Sequence, residues 1–260
     1  MKNKINSEVK EIWNTNAAFW DERIGEANDF HKILLDPNTL LMLDINKGDR
    51  ILEIACGNGQ FSRIMTREGA KVTAIDLSDE FIKIAKTKPL ANKIDYQVID
   101  VCNPDDLNKL KGNSFDAAVC AMGLMDMENI EPLIRFLPEI IKNNGKFVFS
   151  IMHPCFNSGD STLVYERNDI GGKVNDSFYV KTGKHLKSHA YKGIGIVGQP
   201  KAQWYFHRPI SEYMRICFKS GFCLIDLREP SFKETETKSI YNNVFINNPP
   251  ALICSFKLMK

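Results

Sequence analysis

Ile51-Leu52-Glu53-Ile54-Ala55-Cys56-Gly57-Asn58-Gly59-Gln60-Phe61-Ser62 reads as a short apolar strand, a glycine turn and the opening of a helix. Gly57 and Gly59 let the backbone come close to a ligand, and the helix start offers N–H groups that no residue of the helix uses. Asn58 sits between the two glycines, and the acid Glu53 lies within the strand that leads to them. A turn of this kind also joins strand to helix where nothing binds. The later strands and the residues at their tips decide between the two.

Outward from that turn, β-branched apolar runs at 51–55, 72–75, 96–99, 115–121 and 146–151 alternate with amphipathic segments at 60–68, 79–86, 104–110 and 128–142. Strands alternating with helices predict an α/β fold with a parallel sheet covered on both faces. Near-continuous apolar strands agree, because such a sheet is buried on both sides. The second strand ends in Asp76, 17 residues beyond Gly59, where an acid suits a ribose diol. The third ends in Asp100-Val101, a polar and apolar pair suited to an adenine edge. Carboxylates on three successive strand tips line the crevice where open α/β sheets bind ligands. Strand-end aspartates also cap helices, and Ser78 and Asp79 already supply a cap.

These residues carry a resemblance. Ile51–Gly59, followed by Val72-Thr73-Ala74-Ile75-Asp76-Leu77-Ser78, is similar to motifs I and II of class I S-adenosylmethionine-dependent methyltransferases. The resemblance implies a Rossmann-like fold with a seven-stranded, mostly parallel sheet, and S-adenosylmethionine as cofactor with S-adenosylhomocysteine as product. It implies Glu53 near the methionine amino group and the turn of Ala55, Gly57, Asn58 and Gly59 at the methionyl and ribose part. It also implies Asp76 and Leu77 at the ribose, Asp100 and Val101 at the adenine, and Ala121-Met122-Gly123 passing under the cofactor. The usual pattern E/D-x-G-x-G-x-G has Ala55 for its first glycine and Phe61 for its last, and Ala55 is expected to add only a methyl beside the turn. A dinucleotide is disfavoured, since G-x-G-x-x-G would require glycine where Ser62 stands.

A narrower likeness extends over the flanks. Asn16–Arg23, His153-Pro154-Cys155-Phe156 and Tyr205-Phe206-His207-Arg208-Pro209 resemble bacterial methyltransferases of the type 11 group, relatives of ubiquinone and menaquinone biosynthesis enzymes. That resemblance implies an N-terminal helical cover over residues 1–48, in which Phe19 and Trp20, assisted by His31, gate the cofactor or simply anchor the first helix. The binding core is expected over 49–154. Glycine-rich residues 155–206 are expected to form an inserted cap of irregular hairpins, with short strands at 178–180 and 194–197. Residues 207–260 are expected to supply a helix and two last strands.

Methyl transfer is an in-line displacement, so alignment and exclusion of water dominate and a base is needed only for a protonated acceptor. His153, directly after the fifth strand, is the first choice for that base, with His207 and Tyr205 behind it; such histidines also merely hold loops. Arg208 suits an acceptor carboxylate or phosphate, and equally a salt bridge that anchors the cap. Asp126 and Met125 complete the expected acceptor side, and Met122, Met125 and Met127 suit an adaptable apolar wall or plain core packing. Asn247-Asn248-Pro249-Pro250 resembles a nucleic-acid methyltransferase signature but stands before the last strand, where turn chemistry explains it.

Composition restricts the alternatives. The 260 residues hold 34 Lys and Arg against 32 Asp and Glu, a net charge of +2, with 43% hydrophobic residues. No basic block or membrane-length apolar run is present, so neither nucleic acid nor membrane is an expected partner. Residues 1–8 lack the apolar core of a signal peptide, and seven cysteines without a C-x-x-C pair read as reduced thiols. A cytoplasmic, metal-free enzyme acting on a small-molecule acceptor is the expectation. An RNA or protein acceptor, and a non-catalytic protein that binds the cofactor, are the alternatives.

Overall fold

The computed structural model describes residues 2–236 and 243–259, without the side chains of residues 2–4 and 235. The chain begins with α1 (Lys2–Ile24), a π-helical segment (Phe30–Leu35) and α2 (Asp36–Leu43), which has Pro37 in its first turn. Strand and helix then alternate through β1 (Arg50–Ile54), α3 (Gln60–Arg67), β2 (Lys71–Asp76), α4 (Asp79–Thr87), β3 (Asp95–Val98), α5 (Pro104–Leu107), β4 (Phe115–Ala121), α6 (Glu131–Ile140) and β5 (Ile141–Met152). Two hairpins follow, β6 (Ser161–Ile170) with β7 (Lys173–Thr182), and β8 (His189–Gly193) with β9 (Gln203–His207). The chain returns to the main sheet through α7 (Ile210–Lys219), β10 (Phe222–Arg228) and β11 (Ala251–Leu258).

The seven strands run in the order β10-β11-β5-β4-β1-β2-β3, with β5, β4, β1, β2 and β3 parallel and β11 antiparallel to both β5 and β10. β1 sits between β2 and β4, so the chain changes winding direction there. That places a crevice at the carboxyl ends of β1 and β4. One face buries Leu133, Ile134 and Leu137 of α6 and Tyr213 and Cys217 of α7 against Phe147, Phe149 and Phe256. The other buries Met42 of α2, Phe61 and Met65 of α3 and Ile82 of α4 against Val72, Val119 and Val148. β5 sends alternate residues into both layers, as a strand covered on both sides must.

Several local expectations are corrected. α6 ends at Ile140 rather than running to Lys142, because Ile141 pairs with Phe115 and begins β5. The register then jumps to Ala117 opposite Lys146, so residues 142–145 loop out. Within 155–206, only 178–180 of the two expected strands is extended, as part of β7, while β6, β8 and β9 form where none was assigned. Residues 194–197 form the bend between β8 and β9. Among the described residues no helix is long and apolar enough to cross a membrane.

Candidate active site

The turn after β1 is built from left-handed backbone. Ala55, Gly57 and Gly59 have φ of 57°, 54° and 72°. A methyl added at Gly59 would lie 2.1 Å from Tyr96 Oη, so that glycine is required by packing. Buried Arg63 fixes the turn from behind, donating from Nη1 to the Asn58 carbonyl (2.8 Å) and from Nη2 to Glu26 (2.7 Å).

Three carboxylates converge on this turn. Asp76 accepts the Gly57 N–H at Oδ2 (2.8 Å) and the Ser78 N–H at Oδ1 (2.8 Å), bonds that hold it in place and leave lone pairs facing outward. Burial nonetheless raises its pKa. Glu53, 3% exposed, accepts the Ser62 hydroxyl. Burial, with nearby Asp36 and Asp76 adding to it, pushes Glu53 up to about 8. Asp100 accepts the Cys102 N–H (2.9 Å) and the Asn6 amide, and burial raises it too.

These groups line one cavity of about 780 Å³ at the ends of β1, β2, β3 and β4. α1 and the 193–203 bend cover it. Asn16 exchanges two 2.9 Å hydrogen bonds with the Lys201 backbone, and Glu8 pairs with Lys192 (2.5 Å) and accepts the Trp204 indole N–H (3.1 Å). Trp20 and the Tyr205 hydroxyl would each stand 2.8 Å from a methyl placed at Gly195, so the bend rests directly on α1. Asn58 donates to Asp21 (2.9 Å), and Asp21 also pairs with Lys88 (2.7 Å), which ties α1 to the turn and to the end of α4.

Comparison with known proteins finds likeness in the central segment and in the fold. A model described as a methyltransferase domain matches residues 52–149, the segment that holds all three strand tips. That central segment is thus similar to a methyltransferase domain. Over 108 residues it is 36% identical to the ubiquinone biosynthesis O-methyltransferase of Xanthomonas axonopodis pv. citri, covering 41% of this chain and 44% of that protein. The chain thus spans under half the length of the curated relatives it matches. An S-adenosylmethionine-dependent methyltransferase structure from Mesorhizobium loti aligns with a TM-score of 0.67 at 23% identity, over 85% of this chain and 96% of the other. Another such structure, from Clostridium acetobutylicum, aligns at 0.58 and 14% identity over 95% and 99%. At these identities the two structures show a shared fold.

The cavity brings most of the expected residues together. Trp20, Glu53, Ala55, Gly57, Asn58, Asp76, Leu77, Asp100, Val101, Ala121, Met122, Met125, Asp126 and Tyr205 all line the cavity, whereas Gly59 packs on Tyr96 behind it. His31 lines it as well, and burial lowers its pKa to about 4, so it is neutral. Three expected residues lie elsewhere. His153 is 1% exposed, with Nε2 placed 2.8 Å from Glu229 and Nδ1 accepting the Cys155 N–H (3.1 Å). Both ring nitrogens are engaged, which makes it a loop anchor after β5 rather than a base in the cavity. His207 donates to the His185 carbonyl (2.8 Å), outside the lining. Arg208 spends its guanidinium on the carbonyls of Leu124, Phe206, Met127 and Glu128, leaving nothing for an acceptor anion.

Other lining residues escaped the sequence reading: Asp36, Tyr191, Gln203, Phe232 and Phe245. Gln203 had a usable signal. In Gln203-Trp204-Tyr205-Phe206-His207 the alternation of a strand puts Gln203 on the same face as Tyr205. Phe232 and Phe245 come from the segment between β10 and β11, where no period marks them.

Proposed function

We propose that this chain is an S-adenosylmethionine-dependent methyltransferase acting on a small molecule enclosed in the cavity. The observation that carries this reading is the convergence of Glu53, Asp76 and Asp100 on one cavity at the winding reversal of the sheet. The residues fit the cofactor. Asp76 has lone pairs left for the ribose hydroxyls, and Glu53 is a buried acid whose proton stands where a ligand ammonium would supply the missing positive charge. Asp100 and Val101 offer the polar and apolar contacts of an adenine edge. When bound, S-adenosylmethionine supplies a methyl group on a positively charged sulfur that leaves as a neutral thioether.

The chain's own task is then to align the acceptor and exclude water, which raises the weight of every electrostatic contact inside. α1 and the 193–203 bend do the excluding, and Met125, Asp126, Gln203 and Tyr205 face the acceptor side. The cover that α1 and the 193–203 bend lay over the cavity supports a small acceptor over RNA or protein. So does the lining, in which no described residue is Lys or Arg to meet a phosphate backbone. All seven cysteines are free thiols, which supports a reducing, cytoplasmic setting.

Calorimetry tests the assignment. S-adenosylhomocysteine is expected to bind the wild-type chain, and Asp76→Ala to weaken it by about 1–3 kcal/mol, the scale of lost hydrogen bonds to a charged group. Absence of binding to the wild type overturns the reading. Binding without transfer of label to any fraction of a cell extract would instead favour a non-catalytic binder.

A further inference from the structure

Six acids line the cavity, Asp29, Asp36, Glu53, Asp76, Asp100 and Asp126, and among its described lining residues there is no Lys or Arg. Three of the six stand on the tips of β1, β2 and β3. Asp126 follows β4, on the other side of β1 in the sheet order, which is the side left for the acceptor. Its Oδ1 is out of contact with solvent and has no hydrogen-bond partner.

The carboxyl is nonetheless oriented. Gln199 Oε1 accepts the N–H groups of Gly195 (2.9 Å) and Ile196 (3.0 Å), which directs its Nε2 to Gln203 Oε1 (3.3 Å). Gln203 is thereby left with its N–H groups for Asp126, to which it hydrogen-bonds. A chain of amides runs from the backbone of the covering bend to one side of the carboxyl and leaves Oδ1 without a partner. Trp20 Nε1, on the same lining, is also buried without a partner.

We propose that the acceptor is a primary or secondary amine on an apolar body, its nitrogen held at Asp126 Oδ1. The inference rests on the methyltransferase reading and names its substrate class. An anionic acceptor would meet acids and no Lys or Arg of the described lining, and Arg208 is engaged elsewhere. A hydroxyl acceptor develops negative charge as it loses its proton, which this lining opposes. An amine develops positive charge, which the lining stabilises. Met125, Met152, Tyr191, Tyr205 and Phe232 provide the apolar walls.

The proton balance is set by the burial. Burial pushes Asp126 well above the ordinary carboxylate range, so in this site a neutral pair is favoured over an ion pair. Asp126 thus stands protonated, and the acceptor binds as the free amine, its ammonium proton released to water, with an N–H donated to Asp126 Oδ1. The lone pair forms the C–N bond as the C–S bond breaks with its electrons onto sulfur, and the methylated nitrogen takes the positive charge.

The test uses the full chain, methyl-labelled S-adenosylmethionine and a small-molecule extract of the organism that encodes it. Labelled product is expected to pass from alkaline water into an organic solvent and to return into dilute acid, as an amine does. Asp126→Ala is expected to lower that label about tenfold, the scale of a lost hydrogen bond to the acceptor. Its affinity for S-adenosylhomocysteine should stay within about twofold of wild type. Label that stays in the solvent on acidification, or an absence of label in the acid extract while S-adenosylhomocysteine still binds, overturns the amine proposal. So does an Asp126→Ala chain as active as wild type. The wild-type partition decides the matter even if the variant is unstable. Failure of the wild type to bind S-adenosylhomocysteine would instead remove the methyltransferase reading beneath it.

Discussion

Ala55 shows how one residue can satisfy a motif imperfectly. The usual glycine at that position has a conformational reason here, since Ala55 adopts φ of 57°, a region that a Cβ disfavours by about 1–2 kcal/mol. The expected cost of one methyl beside the turn was therefore an underestimate. Its Cβ also restricts the neighbouring strand end, lying 2.7 Å from where a methyl at Gly123 would be. Ala55→Gly is expected to stabilise the chain by about 1 kcal/mol, less a few tenths for the freer unfolded backbone, and to raise the midpoint of thermal unfolding by about 2–4 °C. An unchanged or lower midpoint would show that the strain is relieved elsewhere. Glu53 carries a pH signature of its own. Its folded pKa of about 8 exceeds the ordinary 4.5, so its contribution to stability is complete below about pH 4.5 and is lost as pH rises through 8. Ligand binding runs the other way. An ammonium favours the ionised carboxylate, so S-adenosylhomocysteine affinity should rise between about pH 6 and about pH 8, with proton release measurable by calorimetry in buffers of different ionisation enthalpy. A flat profile would separate Glu53 from the ligand's amino group.

Among the elements, the core strands and the helices between them were legible because burial on both faces leaves uninterrupted apolar runs. The end of α6 was not. Ile140 and Ile141 are consecutive apolar residues that suit either period, and pairing of Ile141 with Phe115 across the sheet settled the matter. The β6–β7 ribbon was missed for a different reason. Beyond Leu163, which packs beside the Leu34, Phe232 and Phe245 cluster, it exposes Tyr165, Ile170, Val174 and Tyr179 and shows no buried face to impose an alternation. An element with so little burial contributes little to global stability. Tyr165 pairs with Phe178, so residues 166–177 can be replaced by Asn-Gly, the two-residue turn suited to closing an antiparallel pair. That chain is expected to unfold within about 2–4 °C of the original, the shift equivalent to 1 kcal/mol at this size. A larger loss would mean that the ribbon braces the covering bend.

For the whole molecule, the net charge of +2 says nothing about the field at the site, because no described residue of the cavity lining is Lys or Arg and six are acids. Order along the chain determined the alternating core, the left-handed turn after β1 and the acids on successive strand tips, since each is a local pattern repeated by one kind of burial. Tertiary structure alone decided which polar groups face the acceptor. His153 and Arg208 stand next to the right elements but turn to Glu229 and to backbone carbonyls. Asp126 gains its partner from Gln203, 77 residues further on, across a contact that no local pattern announces. Strand periodicity constrains a side chain to one face of a sheet; only the packing of distant segments across the crevice determines what that side chain meets there.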